Sequence, residues 1–421
     1  MHSHRVRLDG PVQHRNYTDN SVIRAQCASP VLPRVQTRII HLGCTAHSRD
    51  WSGRDSRSQA SLQASDALWS LVQNTQAFRD APRASLYNDR ATKEAVRTAA
   101  GGGLSPERIP RTMLSLAYIG GPGVWEEEMC ALMTQLEARV GGLGSLRAVE
   151  DVGRALRRCR HRGDEGLMTA LDMRAQELLD TFHAGDVGPK NLGRAATIAG
   201  DVMYAGIVPK RLLERLLSDT ACMDARDLRA VCSAVVCADR VIGWKGSDQQ
   251  MLVTALMERI RGVVKAVSSD TASTTLAGLH TFLLAYAPED DPMVSAAIEG
   301  RRAMRQRHTV STFQKEVYDV LRGRLGWSSC EMEGDVRGVS VDVVVDRERL
   351  AIECDGPSHF YRNSSKSEME GLEGLVPSSR LKDALVGDVG WRMVHVDQRA
   401  WDALGGREAR SEWLRNLFES L

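Results

Sequence analysis

The chain has 421 residues, 43% of them apolar, which is enough for two or three domain-sized cores and excludes a wholly disordered protein. Lys and Arg number 55 against 54 acidic residues, a net charge of +1, so any nucleic acid must be held by local basic patches and not by an overall field. No uncharged apolar run reaches the roughly eighteen residues of a membrane helix, and nine cysteines without a CxxC pair fit a reducing compartment, not a disulfide scaffold or zinc ribbon.

Residues 1–60 carry nine arginines, no lysine, no glutamate and four aspartates among Ser, His, Thr and Gln. Such acid-poor, Arg- and Ser-rich composition is that of an organellar transit peptide. A disordered targeting segment is predicted over 1–65, addressed to the mitochondrial matrix or, alternatively, to a plastid. An ordinary disordered tail has the same composition. Cys44 and His47 stand at ligand spacing, but a lone pair makes no metal site. Residues 66–104 read as a linker or helical lead-in.

Between Ser105 and Gly300 helix-period apolar patterns recur, broken by Gly, Pro and Asp. Similar first helices begin near Ile109, Leu146, Leu192, Leu228 and Leu276, at intervals of 37, 46, 36 and 48 residues. A second helix follows each, as over 126–140 and 251–264. Helix pairs of this length predict a helical-repeat, α-solenoid-like array over 105–307, with an irregular bundle as the alternative.

Two basic clusters stand out. Arg154, Arg157, Arg158, Arg160 and Arg162, with His161, crowd one helix end, and Arg301, Arg302, Arg305 and Arg307 lie where the array meets the final segment. Each is a candidate for phosphate contacts, against a plain solvated helix face. At the second cluster a groove could carry RNA across both domains.

From Ser311 the texture changes. An amphipathic helix (Phe313, Val317, Val320, Leu321, Leu325) precedes two β-branched runs, Val339 to Val345 and Leu350 to Asp355, joined by the polar turn 346–349 as a hairpin. A turn centred between Arg347 and Glu348 sets Asp342 opposite Glu353, and alternation puts Glu353 and Asp355 on one side. Three clustered acids repel unless a cation joins them, and hard oxygen donors suit Mg²⁺. In the plain alternative Asp355 opens the turn Asp355-Gly356-Pro357-Ser358, while Asp342 and Glu353 are solvated on an exposed sheet face. Residues 364–379 read as a flexible insertion.

The run VDVVV, then LAIECDGPSHFYRN, then LKDALVGDVGWRMVHVDQRAWDAL resembles the RAP-domain pattern in content and order, over about 311–421. The array resembles the degenerate helical repeats ahead of RAP domains in octotricopeptide-repeat and FAST-kinase-like organellar proteins. The resemblance implies an α + α/β chain ending in a restriction-endonuclease-like core, related to very-short-patch-repair nucleases of the PD-(D/E)XK class. It implies Asp342 and Glu353 as metal ligands, with Asp355 a third acid where many such nucleases carry lysine. His359 would then position or deprotonate water, Glu316 join as an outer ligand, and Lys382 face the scissile phosphate. Each also has a plain structural reading, and Phe360, Tyr361 and Trp401 read as core or rim aromatics.

Three functions follow. The leading one is an organellar RNA-binding protein acting in RNA processing, mRNA stability or rRNA maturation, with single-stranded mRNA or rRNA and ribonucleoproteins as partners. Arg154, Arg157, Arg158, Arg301, Arg302, Arg305 and Lys382 would contact the RNA. The alternatives are a Mg²⁺-dependent endoribonuclease using Asp342, Glu353, Asp355 and His359, and a protein-binding helical scaffold.

Overall fold

The computed structural model describes residues 55–77, 89–120, 124–181, 189–204, 207–304, 310–363 and 374–419. The expected targeting segment up to residue 54, the Cys44 and His47 pair, Arg305, Arg307 and residues 364–373 lie outside them.

Thirteen helices precede the first strand-bearing segment among the described residues. They are α1 (Asp55–Ala77), α2 (Arg90–Ala100), α3 (Arg108–Ile119), α4 (Glu126–Glu137), α5 (Leu146–Cys159), α6 (Glu165–Asp180), α7 (Pro189–Tyr204), α8 (Lys210–Ser218), α9 (Ala225–Cys237), α10 (Ser247–Ala266), α11 (Ser269–Gly278), α12 (His280–Tyr286) and α13 (Pro292–Ala303). Helices α1, α3, α5, α7, α9 and α12 touch in succession as one layer, and α2, α4, α6, α8 and α10 as a second. That is the stacking of helix pairs in which each pair buries its apolar face on its neighbours. No helix among the described residues is long and apolar enough to cross a membrane.

Local chemistry sets the helix ends. Ser145 caps α5 by accepting from the Ala148 amide, and Asp224 with Asp227 forms a capping box on α9. Apolar Leu146, Val149, Val152 and Leu156 then recur at helical spacing along α5 and are all buried. α9 ends in a widened turn, 238–242, closed by left-handed Gly243.

Two expectations shift. Helical stacking starts with α1 at Asp55, inside the segment read as disordered up to residue 65, and continues through α2 within the expected lead-in. The face α1 buries includes Ser61, which donates to the carbonyls of Thr98 and Gly102 (3.0 and 2.7 Å), and Ser65, 2.8 Å from the Thr112 hydroxyl. Hydroxyls satisfied inside the stack leave no apolar signature. The helix expected from Leu276 is broken at Leu279, with α11 before it and α12 after.

The C-terminal unit opens on α14 (Thr312–Gly323), capped by a Ser311 and Gln314 box. It continues through β1 (Cys330–Val336), β2 (Val339–Val345), β3 (Leu350–Asp355), α15 (Pro377–Asp388), β4 (Arg392–Asp397), α16 (Gln398–Asp402) and α17 (Arg407–Glu419). The sheet order is β1-β2-β3-β4, antiparallel as far as β3, with β4 parallel to β3 across the α15 crossover. Both expected strands form, and the pairs Val343 with Ile352 and Val345 with Leu350 keep the predicted hairpin register. One face packs Val343, Ile352, Val394, Val396 and Trp401 against Phe313, Val317, Leu321 and Leu414. The other sets Val344 and Ala351 on Val386 of α15. Helices on both faces leave all of β3 buried.

The expected insertion is anchored at both ends. The Tyr361 amide donates to the Gly374 carbonyl and the Val376 amide to that of His359, both at 2.9 Å, and by Pro377 the chain is already in α15.

Candidate functional site

Register alone would put Asp342 beside Glu353, and the side chains go further. The β2–β3 pairing runs from Val345 with Leu350 to Val343 with Ile352. The Cys354 amide then donates to Asp342 Oδ2 at 2.7 Å, and Gln314 Nε2 of α14 donates to Oδ1. Asp342 thus takes over a ladder position with its carboxylate. Its own amide points at Glu353 Oε1, 3.3 Å away.

Glu353 is 3% exposed, so the solvated alternative fails. Burial pushes its carboxyl up to about 7; Lys382 opposes that and Asp342 adds to it. Lys382 Nζ donates to Oε2 at 2.7 Å, so the lysine expected to face a phosphate instead rests on an acid.

Asp355, 1% exposed, sits between two imidazoles. His359 Nδ1 lies 2.9 Å from Oδ1 and His395 Nδ1 2.5 Å from Oδ2. His395 Nε2 in turn lies 3.0 Å from Asp383 Oδ2. Burial alone would raise the Asp355 carboxyl, but the bonds from His359 and His395 hold it below the usual carboxylate range. The bond to Asp355 raises His359 against its burial. For His395 burial works downward, and its two carboxylate partners overcome it, raising the imidazole to about 10.

The sequence reading missed His395 and Asp383. The signal for His395 was its place between buried Val394 and Val396, which puts it on the opposite strand face, but only the parallel pairing of Glu353 with His395 brings it to Asp355. Asp383 follows Lys382 on α15, and no periodicity marks it. Glu316 does not join: it accepts from Trp401 Nε1 (3.1 Å) and Arg410 Nη1 (2.7 Å) and ties α14 to the last helices.

Donor atoms of Glu353, Asp355 and His359 lie within 4.8 Å of one another, a set whose two carboxylates and imidazole suit a divalent cation. Asp342 is not part of that set. Each oxygen of the three acids already faces a protein nitrogen, and Lys382 and His395 bring cationic groups where a metal would bring its charge. A metal ion here competes with those two side chains for the same oxygens.

Residues 352–417, from β3 through most of α17, match the family model of the RAP domain. The chain carries a C-terminal RAP domain. RAP domains are generally associated with RNA binding. The chain is also 26% identical over 366 residues to a "RAP domain-containing protein, chloroplastic" of Oryza sativa subsp. japonica, an alignment that covers 75% of this chain and 52% of the relative. It therefore spans about half the length of that relative.

The RAP domain is held against the array by specific bonds, and these sort the arginines. Arg154 pairs with Glu150, and Arg157 with the buried Asp201 at 3.0 Å. Arg158 donates to the Ala117 carbonyl (3.1 Å) over the Tyr118 ring. Arg302 makes two bonds to Asp335 of β1 (3.0 and 2.6 Å), so it fastens the two parts together, and Arg301 stays exposed on α13. The C-terminal ends of α5, α7 and α9 each meet the RAP domain: Arg160 Nη1 donates to the Pro357 carbonyl (2.7 Å), the Tyr361 hydroxyl to that of Tyr204, and Arg380 to that of Val241 (2.9 Å). Helix α12 adds a further contact, His280 Nε2 to the Arg337 carbonyl at 2.8 Å. Phe360, Tyr361 and Trp401 are all buried, as core aromatics.

Proposed function

We propose that this protein binds single-stranded organellar RNA and acts after transcription, in RNA processing, mRNA stability or rRNA maturation, alongside ribonucleoprotein partners. The observation that carries the reading is the RAP domain itself, docked by the segment around its acidic centre onto the ends of stacked helix pairs. The helical array of 105–307, extended by α1 and α2, would grip the strand, and the RAP unit of 311–421 would add affinity. The organellar address rests on the arginine-rich, acid-poor first sixty residues and on the chloroplastic relative. A fluorescent fusion of the full chain separates mitochondrial matrix from plastid. Crosslinking in isolated organelles, followed by sequencing of the bound RNA, tests the function. Reproducible footprints are expected, and no recovered RNA overturns it; protein partners without RNA affinity at low salt would turn the reading to a protein-binding scaffold.

A second reading, a Mg²⁺-dependent endoribonuclease, is favoured by the Glu353, Asp355 and His359 cluster. The mixed sheet flanked by α14 and α15 supports the restriction-endonuclease-like core that it needs. When bound, the ion would supply Lewis-acid activation of phosphate and water. Incubating organellar transcripts with the protein in Mg²⁺ or EDTA, beside Asp342→Ala and Glu353→Ala, decides it. Cleavage indifferent to all three changes rejects that chemistry.

A further inference from the structure

We propose that the cleft lined by Trp327, Phe418 and the β2–β3 turn binds one nucleotide of single-stranded RNA, its base against the two rings and its phosphate at Arg347. The inference rests on the RNA-binding reading above and gives it a location on the RAP domain.

The cleft is a cavity of about 280 Å³. That lies just under the roughly 300–1,000 Å³ of sites that enclose a drug-sized ligand, so it has room for one base and not for a longer stretch of strand. Buried Val345 and Leu350, where β2 ends and β3 begins, line it with apolar atoms. Array docking uses the other end of the sheet. Arg337 sits in the β1–β2 turn, and Pro357 and Tyr361 follow the far end of β3. The antiparallel pairing of Val345 with Leu350 sets the cleft away from those contacts.

Backbone bonds fix both sides of the cleft. The Trp327 amide donates to the Leu321 carbonyl near the end of α14 (3.1 Å), and the Trp327 carbonyl accepts from the Cys330 amide at the start of β1 (3.2 Å). The turn 346–348 is closed by Arg349 in the left-handed region (φ 47°), which a side chain other than glycine seldom adopts. The Arg349 amide donates to the Asp346 carbonyl (3.1 Å), and its carbonyl accepts from the Arg392 amide (2.9 Å), so the turn that carries Arg347 is tied to β4.

Two features mark this cleft out. The Trp327 and Phe418 rings lie 4.5 Å apart between centroids, tilted by 45°, and neither residue is buried. Every other ring pair among the described residues has at least one buried member, Tyr361, Phe282, Phe313 or Trp401. Both rings pack partly on the core, and the area they leave to solvent is a flat apolar surface of the kind on which unstacked bases settle. The second feature is Arg347, whose side chain is 86% exposed. Glu348, at 3.9 Å, is the one acid it meets among the described residues, and an exposed pair of that length holds it weakly. Its planar donors are therefore available to a phosphate beside the aromatic wall. The hydroxyls of Ser328 and Ser329, also lining the cleft, can donate to or accept from the edge of a base.

The test uses the full-length protein and a fluorescein-labelled single-stranded RNA of mixed sequence, with anisotropy titrations across a salt series. Phe418→Leu keeps an apolar side chain on the core and removes the ring. It is expected to weaken binding about tenfold, within what stacking of one base supplies. Trp327→Phe keeps a ring and is expected to keep most of the affinity. Arg347→Gln is expected to flatten the slope of log affinity against log salt by about 0.7 at an unchanged thermal midpoint, and Arg347→Lys to retain the slope. Ultraviolet crosslinking followed by peptide mass spectrometry should find a nucleotide on the peptide carrying Trp327 or Phe418. If the wild type binds RNA while Phe418→Leu and Arg347→Gln keep its affinity and slope, the cleft is wrong, the rings only close the core, and RNA binding stands. Weaker binding by Phe418→Leu with a lowered midpoint and no crosslink at the cleft also overturns it, because that marks lost packing and not lost stacking. A wild type without RNA affinity at low salt removes the underlying reading as well.

Discussion

His395 offers the most demanding check on the acidic centre. Replacing it with Gln keeps roughly the side-chain volume and removes the cation between Asp355 and Asp383. Asp355, at 1% exposure, has no water to turn to and keeps only His359, so it carries most of the penalty of a broken buried pair, about 3–5 kcal/mol. Asp383 is 19% exposed and recovers part of its share by hydration, which places the expected loss toward the lower end of that range. Denaturant unfolding of the full chain at pH 7 measures the loss. Adding Asp383→Asn to His395→Gln should cost less than the separate losses summed, because one repelling carboxylate is gone. The pH dependence has a defined sign. His395 is raised to about 10 in the folded chain against 6.5 for a free imidazole, so its contribution is complete below about pH 6.5 and fades as pH climbs through 10. The stability curves of wild type and His395→Gln should converge over that window. A loss under about 1 kcal/mol at pH 7, or curves that stay parallel, would refute the ion-pair chain.

Asp201 has the opposite polarity. Burial raises its carboxyl to about 7 despite Arg157, so ionising it costs the folded state as pH rises from about 4 to 7; Asp201→Asn should gain on wild type over that interval, and parallel unfolding curves would contradict this. Gly338 stands at φ +83°, and a Cβ there would lie 2.6 Å from His280 Nε2, so Gly338→Ala should destabilise by about 1–3 kcal/mol and loosen the β1–β2 turn from α12, read by hydrogen exchange at Arg337 and His280. Ser61→Ala strips the donor from two carbonyls between α1 and α2 and should cost about 1–3 kcal/mol by thermal unfolding, whereas an unchanged midpoint would mean those helices add nothing to the stack.

The strong periodicities were legible in advance. The paired helices from α3 to α10 and the β2–β3 hairpin with its register follow from apolar spacing, caps and a polar turn, because these act within a few residues of chain. The RAP motif itself could be read directly, since its specific stretch, Ile352 to Phe360, is contiguous. α1 escaped because part of its buried face is serine, and the break at Leu279 because no Pro or Gly marks it.

The centre divides along the same line. Asp342, Glu353 and Asp355 were found because one hairpin positions all three, and hairpin register is short-range information. Their partners come from a parallel strand and its crossover helix, some thirty to forty residues onward, where β4 pairing and α15 packing choose which side chains arrive. An acid cluster and an acid cluster already matched by Lys382 and His395 have the same local sequence. The arginines were ambiguous for the same reason: composition shows that charge is present, but only packing decides that Arg154 and Arg157 face carboxylates while Arg160, turned by one left-handed residue, reaches the RAP domain.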